Sequence, residues 1–500
     1  MSVDHRIVII GAGFSGLGTA IRLKQAGIDD FVVLERGEDV GGTWRANRYP
    51  GCQCDVPSHL YSFSFAPNPD WSRTFSLQPE IWEYLRTTAE RHGVMGHMRF
   101  GHAVTGAAWE EEQRRWRIET SHGTLTAEVV ISGMGGLSEP SIPDIPGLES
   151  FAGAAFHTAE WDHEQDLRGK RVAVIGTGAS AIQVVPRIQP QVGELVLFQR
   201  TPPWIMPHAD RPISARERRI YRRLPFAQRA MREGIYWARE LLVLPFLHPR
   251  VGVIGERIAR RHLRRQVRDP QLRAKLSPTY RMGCKRVLIS NEYYPALQQE
   301  NVRLVTDGIR EIRPHAIVTA DGVEHEVDAI VLGTGFHVAD VPFGQFVRGR
   351  DGRSLAEAWR GSPQAHWGTT VAGFPNLFLL LGPNTALGHT SVVFMIECQI
   401  QYVMDCLRTM GERDLQAVEP RAEAQATFIA DVRRRERGTV WVAGGCASWY
   451  LDENGRNSTI WPGSTWRYRE RMRRFEPGEY HLYPRAGAPA AARMETPATA

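Results

Sequence analysis

The sequence predicts an α/β protein with two Rossmann-like, dinucleotide-binding domains, the first of them discontinuous and the second carrying a helical insertion. Three observations predict it. Two glycine-rich turns, residues 11–16 and 176–181, each follow an apolar β-type run and open a helical pattern. Apolar strand-like runs return beyond residue 325, and residues 211–280 between them read as helix.

Residues 6–10 are an apolar run that ends in Gly11-Ala12-Gly13-Phe14-Ser15-Gly16, and a helical pattern continues to Ala26. In such a unit the glycines serve a tight turn, close approach of backbone to a pyrophosphate, and close helix–strand packing. The free N–H groups of the helix N-terminus then face the phosphates. A second β-type run, residues 31–34, ends at Glu35, 24 residues after Gly11, where a carboxylate accepts hydrogen bonds from ribose hydroxyls. The same order returns at residues 171–175, followed by Gly176-Thr177-Gly178-Ala179-Ser180-Ala181, a helix to Ile188 and a strand at 195–198. Here the residue 24 places after Gly176 is Arg200, and a guanidinium suits a 2′-phosphate that a carboxylate would repel. The first unit therefore reads as an FAD site and the second as an NADPH site.

Residues 116–120 and 124–132 read as a hairpin appended to the first domain. Residues 328–336 and 376–382 are buried-strand runs, followed by a helix from about Ser391. The expected division is an FAD domain at 1–145, an NADPH domain at 146–325 with its insertion at about 211–280, and the FAD domain resumed at 326–484. Residues 485–500, rich in Pro, Ala and Gly, are expected to be a disordered tail.

Composition fits this reading. Apolar content of 42% and charged content of 23% over 500 residues are those of a soluble globular chain. No apolar run approaches a bilayer-spanning length, and no charged-then-apolar leader precedes the first strand, so a cytoplasmic protein is expected. Six cysteines without regular spacing argue against a disulfide scaffold. The net charge of +6 is local: residues 211–275 hold 17 Arg and 1 Lys against 5 acids, which leaves the remainder negative. That basic segment reads as a solvated helical face. Its functional readings are attraction of anionic cofactors or contact with a membrane surface, and no nucleic-acid partner is expected.

Two dinucleotide sites in one chain mean that hydride passes from NADPH to flavin; the next acceptor defines the reaction. A disulfide reductase needs a cysteine pair beside the flavin, commonly after a Gly-Gly-Thr turn. Here Gly41-Gly42-Thr43 is followed by Trp44, and Cys52 and Cys54 enclose a single residue, a poor match to that chemistry. The other class passes electrons to dioxygen and an organic substrate.

Phe151, Gly153, His157, Trp161 and Asp162 fit the pattern F-x-G-x-x-x-H-x-x-x-W-[P/D] at every specified position, between the two βαβ units. In this the chain resembles the type I Baeyer–Villiger monooxygenases. Further segments are similar to the same family: Gly41-Gly42-Thr43-Trp44, Tyr49-Pro50-Gly51 through Cys54-Asp55, Tyr61-Ser62-Phe63, Phe198-Gln199-Arg200-Thr201, Gly283-Cys284-Lys285-Arg286 and Ser448-Trp449-Tyr450. The resemblance spans nearly the whole chain. Residues 449–457 depart from the cyclohexanone-oxidising branch and are more similar to the hydroxyacetophenone and phenylacetone monooxygenase branch.

The resemblance implies an NADPH- and O2-dependent flavin enzyme in which a C4a-peroxyflavin attacks a small-molecule ketone, inserting oxygen beside the carbonyl to give an ester or lactone. The alternative it leaves open is N- or S-oxygenation on the same fold. It assigns Arg286 the role of the fixed cation and Asp55 that of the carboxylate positioning it. It groups Lys285 with Arg200 and Thr201 at the 2′-phosphate, and gives Trp449 a contact with the nicotinamide cofactor. Glu35, Thr43, Trp44, Asp55, Tyr61 and the backbone of Val104 fall on the flavin side. His157 and Trp161 become linker residues that couple the domains, and no metal site is expected.

Overall fold

The computed structural model describes residues 3–338, 343–446 and 448–485. The first βαβ unit is β1 (His5–Ile10), α1 (Phe14–Gln25) and β2 (Phe31–Leu34). Both strands are apolar on both faces because both faces are covered, as in parallel sheets generally. After α2 (Thr43–Ala46) and α3 (Gln78–Arg91) come the edge strand β3 (Met98–Arg99) and the meander β4 (Val104–Glu110), β5 (Arg115–Thr120) and β6 (Gly123–Ser132). β1 lies between β2 and β6 and is parallel to both, while β5 pairs antiparallel with β4 and β6. Much later segments, Leu377–Leu379 on β6 and Val347–Arg348 on β4, add to this sheet. The long helix Val392–Glu412, capped by Ser391, packs on α1, so the first domain is discontinuous.

The second sheet is parallel throughout. β7 (Ala154–His157), β8 (Arg171–Ile175), α4 (Ala179–Ile188) and β9 (Glu194–Phe198) are followed by the short pair β10 (Ile205–Met206) and β11 (Leu288–Ile289), then β12 (Val302–Val305). The order is β12, β9, β8, Ala329–Leu332, β7. The strand Ala329–Leu332 corrects the expected division: placed by sequence in the resumed first domain, it pairs with β7 and β8 of the second sheet. A buried apolar run carries no mark of which sheet it enters, and the boundary moves past residue 332.

Between β10 and β11 lies the insertion: α5 (Ala215–Arg223), α6 (Pro225–Glu240), α7 (Val243–Leu247), α8 (Val253–Gln266) and α9 (Pro270–Lys275). α5 starts in a capping box of Ser214 and Glu217, α6 and α9 start on proline at the first helical position, and Asp269 caps α9. Arg485 pairs with Glu128 at 2.7 Å; the rest of the expected tail, 486–500, lies outside the described residues. Among the described residues no helix is long and apolar enough to cross a membrane.

Candidate functional site

The two glycine turns are built alike. Gly11 and Gly176 hold φ of +93° and +109°, and a Cβ on either would meet the carbonyl of a second glycine, Gly133 after β6 or Gly333 after Ala329–Leu332, at 3.2 and 2.4 Å. At Gly16 a Cβ would sit 1.8 Å from the Gly11 carbonyl oxygen. Helices α1 and α4 begin at Gly13 and Gly178 without a side-chain cap, which leaves their first-turn amides for phosphate oxygens. Phe14, Ser15, Ala179, Ser180 and Ala181 thus stand at helix N-termini, and Thr177 ties the second turn to Thr201 through a 3.0 Å hydrogen bond to its carbonyl. Gly16→Ala is expected to purify with little or no flavin, read from visible absorbance, because backbone cannot yield at that contact.

Glu35 directly follows β2 and is buried. One carboxylate oxygen accepts the Ala12 amide and the other the Gly37 amide, both at 2.8 Å, so the group is anchored on the glycine turn with lone pairs to spare for a ribose. The Glu35 carbonyl accepts the His102 amide at 2.9 Å, which draws the start of β4 at Val104 alongside. Thr43 and Trp44 open α2; the Trp44 indole N–H donates to the Tyr61 hydroxyl at 3.1 Å, and Phe14 meets Tyr61 edge-on at 5.1 Å. Backbone amides, one carboxylate and an aromatic wall form a cradle that fits FAD.

The second cradle differs in charge. β10 and β11 run parallel, Ile205 opposite Leu288, and the segments that lead into them bring Arg200 near Lys285. Burial, and then the charge of Arg200, lowers the Lys285 ammonium pKa. Lys285 lies 5.5 Å over the Tyr280 ring, and Arg200 is exposed; among the described residues neither has a carboxylate partner. Two cations held together without a neutralising acid fit a dianionic 2′-phosphate.

Between the cradles, Asp55 of the first domain meets Arg286 of the second. Arg286 donates through Nε and Nη2 to the two Asp55 carboxylate oxygens, each at 2.7 Å, while Nη1 is 3.5 Å from the Leu387 carbonyl. Asp55 raises the guanidinium pKa above its ordinary value. Against burial, which works the other way, the charges of Arg286 and Arg239 hold the Asp55 carboxyl below the usual range. Both groups therefore stay ionised. Tyr450, buried, faces Arg286, and burial pushes its hydroxyl up to about 12.

Sequence reasoning missed Arg239 on α6, whose Nη2 donates to the Asp55 carbonyl at 2.9 Å. Among the insertion's many arginines nothing marked it. Tyr49 and Gln53 were also missed as a clamp: Tyr49 donates to Gln183 of α4 at 2.9 Å, and Gln183 donates to the Gln53 carbonyl at 2.9 Å, docking the second glycine turn on the segment that carries Asp55. His157 is buried and kept neutral, its pKa lowered by burial to about 4; its Nδ1 accepts the Ala159 amide and its ring meets Phe336 edge-on at 5.5 Å. Trp161 stands edge-on to Phe156 at 5.1 Å.

Trp449 is 41% exposed on a loop, edge-on to Tyr450 at 4.4 Å. A disulfide from Cys446 to Cys284 fastens that loop beside Lys285, a pairing across 162 residues that irregular cysteine spacing did not reveal. Cys52 and Cys54 are free and buried, and burial pushes the Cys52 thiol up to about 12.

A family model described as pyridine nucleotide-disulphide oxidoreductase matches residues 8–217. A Baeyer-Villiger monooxygenase of Streptomyces coelicolor is 54% identical over 482 residues, covering 95% of this chain and 92% of the relative. Among solved structures, a complex of OTEMO with FAD and NADP superposes at a TM-score of 0.86 with 28% identity, covering 96% of this chain and 100% of the other. An epsilon-caprolactone-bound cyclohexanone monooxygenase does so at 0.84 with 28% identity, covering 96% and 99%.

Proposed function

The chain belongs to the Baeyer–Villiger monooxygenase family, and on that premise we propose that Arg286, Asp55, Arg200 and Lys285 carry its reaction, the NADPH- and O2-dependent insertion of one oxygen atom beside a ketone carbonyl. Ketone, O2, NADPH and a proton give ester or lactone, NADP+ and water. The bound FAD and NADPH supply hydride transfer and the activation of dioxygen.

The residues do the rest. Arg200, Lys285 and Thr201 would grip the 2′-phosphate, and Glu35 would hold the FAD ribose. Asp55 fixes the plane of the Arg286 guanidinium through two parallel hydrogen bonds. Arg286 keeps its charge and presents Nη1, whose contact with Leu387 is long, toward negative charge that develops in the reaction. Arg239 adds a second cation behind Asp55. The exposed Trp449 beside the disulfide suits a part that closes over the nicotinamide cofactor and excludes water.

The observation that carries this reading is the Arg286–Asp55 pair, contributed by opposite domains and set between two cradles of opposite charge. Two free, buried cysteines with a raised thiol pKa give no support to disulfide reduction. The test is incubation with NADPH and isotopically labelled dioxygen on a panel of ketones and thioethers. Ester carrying one labelled oxygen is expected; sulfoxide without ester would assign the alternative N- or S-oxygenating chemistry instead.

A further inference from the structure

We propose that the outer face of the helical insertion is a docking surface for a bilayer containing anionic lipids. Of the 18 large apolar side chains exposed among the described residues, 11 fall between residues 220 and 258. On α6, Phe226 (68% exposed) and Trp237 (49%) share one stripe with Ala230, Gly234 and Leu241 (66%), the residue that ends the helix. At 100° per residue these five positions span only about 80° of the helix. The rest of α6 buries Gln228, Tyr236 and Glu240, and its far side presents Arg239 to Asp55. Further along the insertion, Leu244 on α7 and Ile254 and Ile258 on α8 are exposed as well.

A solvated face, the reading favoured by sequence, would not leave a phenylalanine and a tryptophan standing out of α6. Basic residues accompany them. Arg216, Arg219 and Arg223 on α5, and Arg261, Arg264 and Arg265 on α8, are exposed and take part in no ion pair among the described residues. Apolar side chains with a tryptophan among unpaired arginines match the interface of an anionic bilayer, where apolar groups enter the acyl boundary and guanidinium groups meet phosphates. Charge complementarity separates this occupant from a second copy of the chain. A two-fold contact on this face would bring the same arginines against themselves. Among the described residues no helix crosses the membrane, so the attachment is peripheral.

The experiment is flotation of the holoenzyme with vesicles of phosphatidylcholine alone and of phosphatidylcholine with about one-third phosphatidylglycerol. Binding only to the second, weakened by salt, is expected. Trp237→Glu with Leu241→Glu, and separately Arg261→Glu with Arg265→Glu, are each expected to lower partitioning about tenfold or more, with flavin content and NADPH oxidation unchanged. Equal or absent binding to both vesicles overturns the proposal, as does partitioning that both variants retain. Self-association by sedimentation velocity that Trp237→Glu with Leu241→Glu abolishes, without flotation, overturns it in favour of an interface between copies.

Discussion

Replacing Arg286 by alanine is expected to leave reduction of the flavin by NADPH measurable while lowering ester formation about a hundred- to a thousandfold, the loss typical of removing one donor aimed at developing negative charge. The geometry sets that expectation. Two of the guanidinium N–H groups are used on Asp55 at 2.7 Å, and Nη1 has only a long contact with a carbonyl. The truncation also leaves Asp55 half-buried beside Arg239, which reaches its backbone carbonyl rather than its carboxylate. Arg286→Lys separates charge from orientation: an ammonium keeps the charge but cannot span both carboxylate oxygens, and an intermediate loss is expected. Rapid mixing for the reductive half and product analysis for the oxidative half read the two effects apart. A native product yield from Arg286→Ala would show that Arg286 is not the cation the oxygenation depends on.

The same pair sets the acid limit. Asp55 is held below the ordinary carboxylate range, so its contribution to stability is complete above that range and is lost as pH falls through its lowered value. Arg286, raised, does not titrate within the working range. No limb of the neutral pH–rate profile is therefore expected from this pair.

What the sequence disclosed divides along a physical line. Local grammar was legible: Gly11 to Glu35 and Gly176 to Arg200 follow from short-range steric and electrostatic demands, and the strands and helices fall where those demands place them. Partners fixed by distant chain were not. The strand Ala329–Leu332 looks like any buried strand until its neighbours β7 and β8 are known. The carbonyls of Gly133 and Gly333, against which the glycine turns pack, come from remote positions. Arg239 became distinct only when α6 laid it on Asp55, and the Cys284–Cys446 bond joins residues 162 apart in sequence. Arg286 and Asp55 were reached through family resemblance, since 231 residues separate two groups that no local pattern joins.

Arg200→Ala and Lys285→Ala are each expected to raise the KM for NADPH about ten- to a hundredfold while leaving that for NADH nearly unchanged, since each removes a charge-assisted contact worth about 1.5–3 kcal/mol. The two losses are not independent. In the free protein the charge of Arg200 depresses the Lys285 pKa, a repulsion that a dianion between them relieves. With Arg200 gone, Lys285 titrates at higher pH and holds its proton more firmly. Its remaining contact is then worth more, so the double variant is expected to lose more than the two single changes would suggest, a coupling that a double-mutant cycle measures. The pH dependence has a defined sign: as pH rises through the lowered Lys285 value the ammonium loses its proton, so NADPH affinity falls on the alkaline side while NADH affinity does not. In Arg200→Ala that alkaline limb is expected to shift upward. If wild-type enzyme instead bound NADH as tightly as NADPH, the pair would have no phosphate to hold.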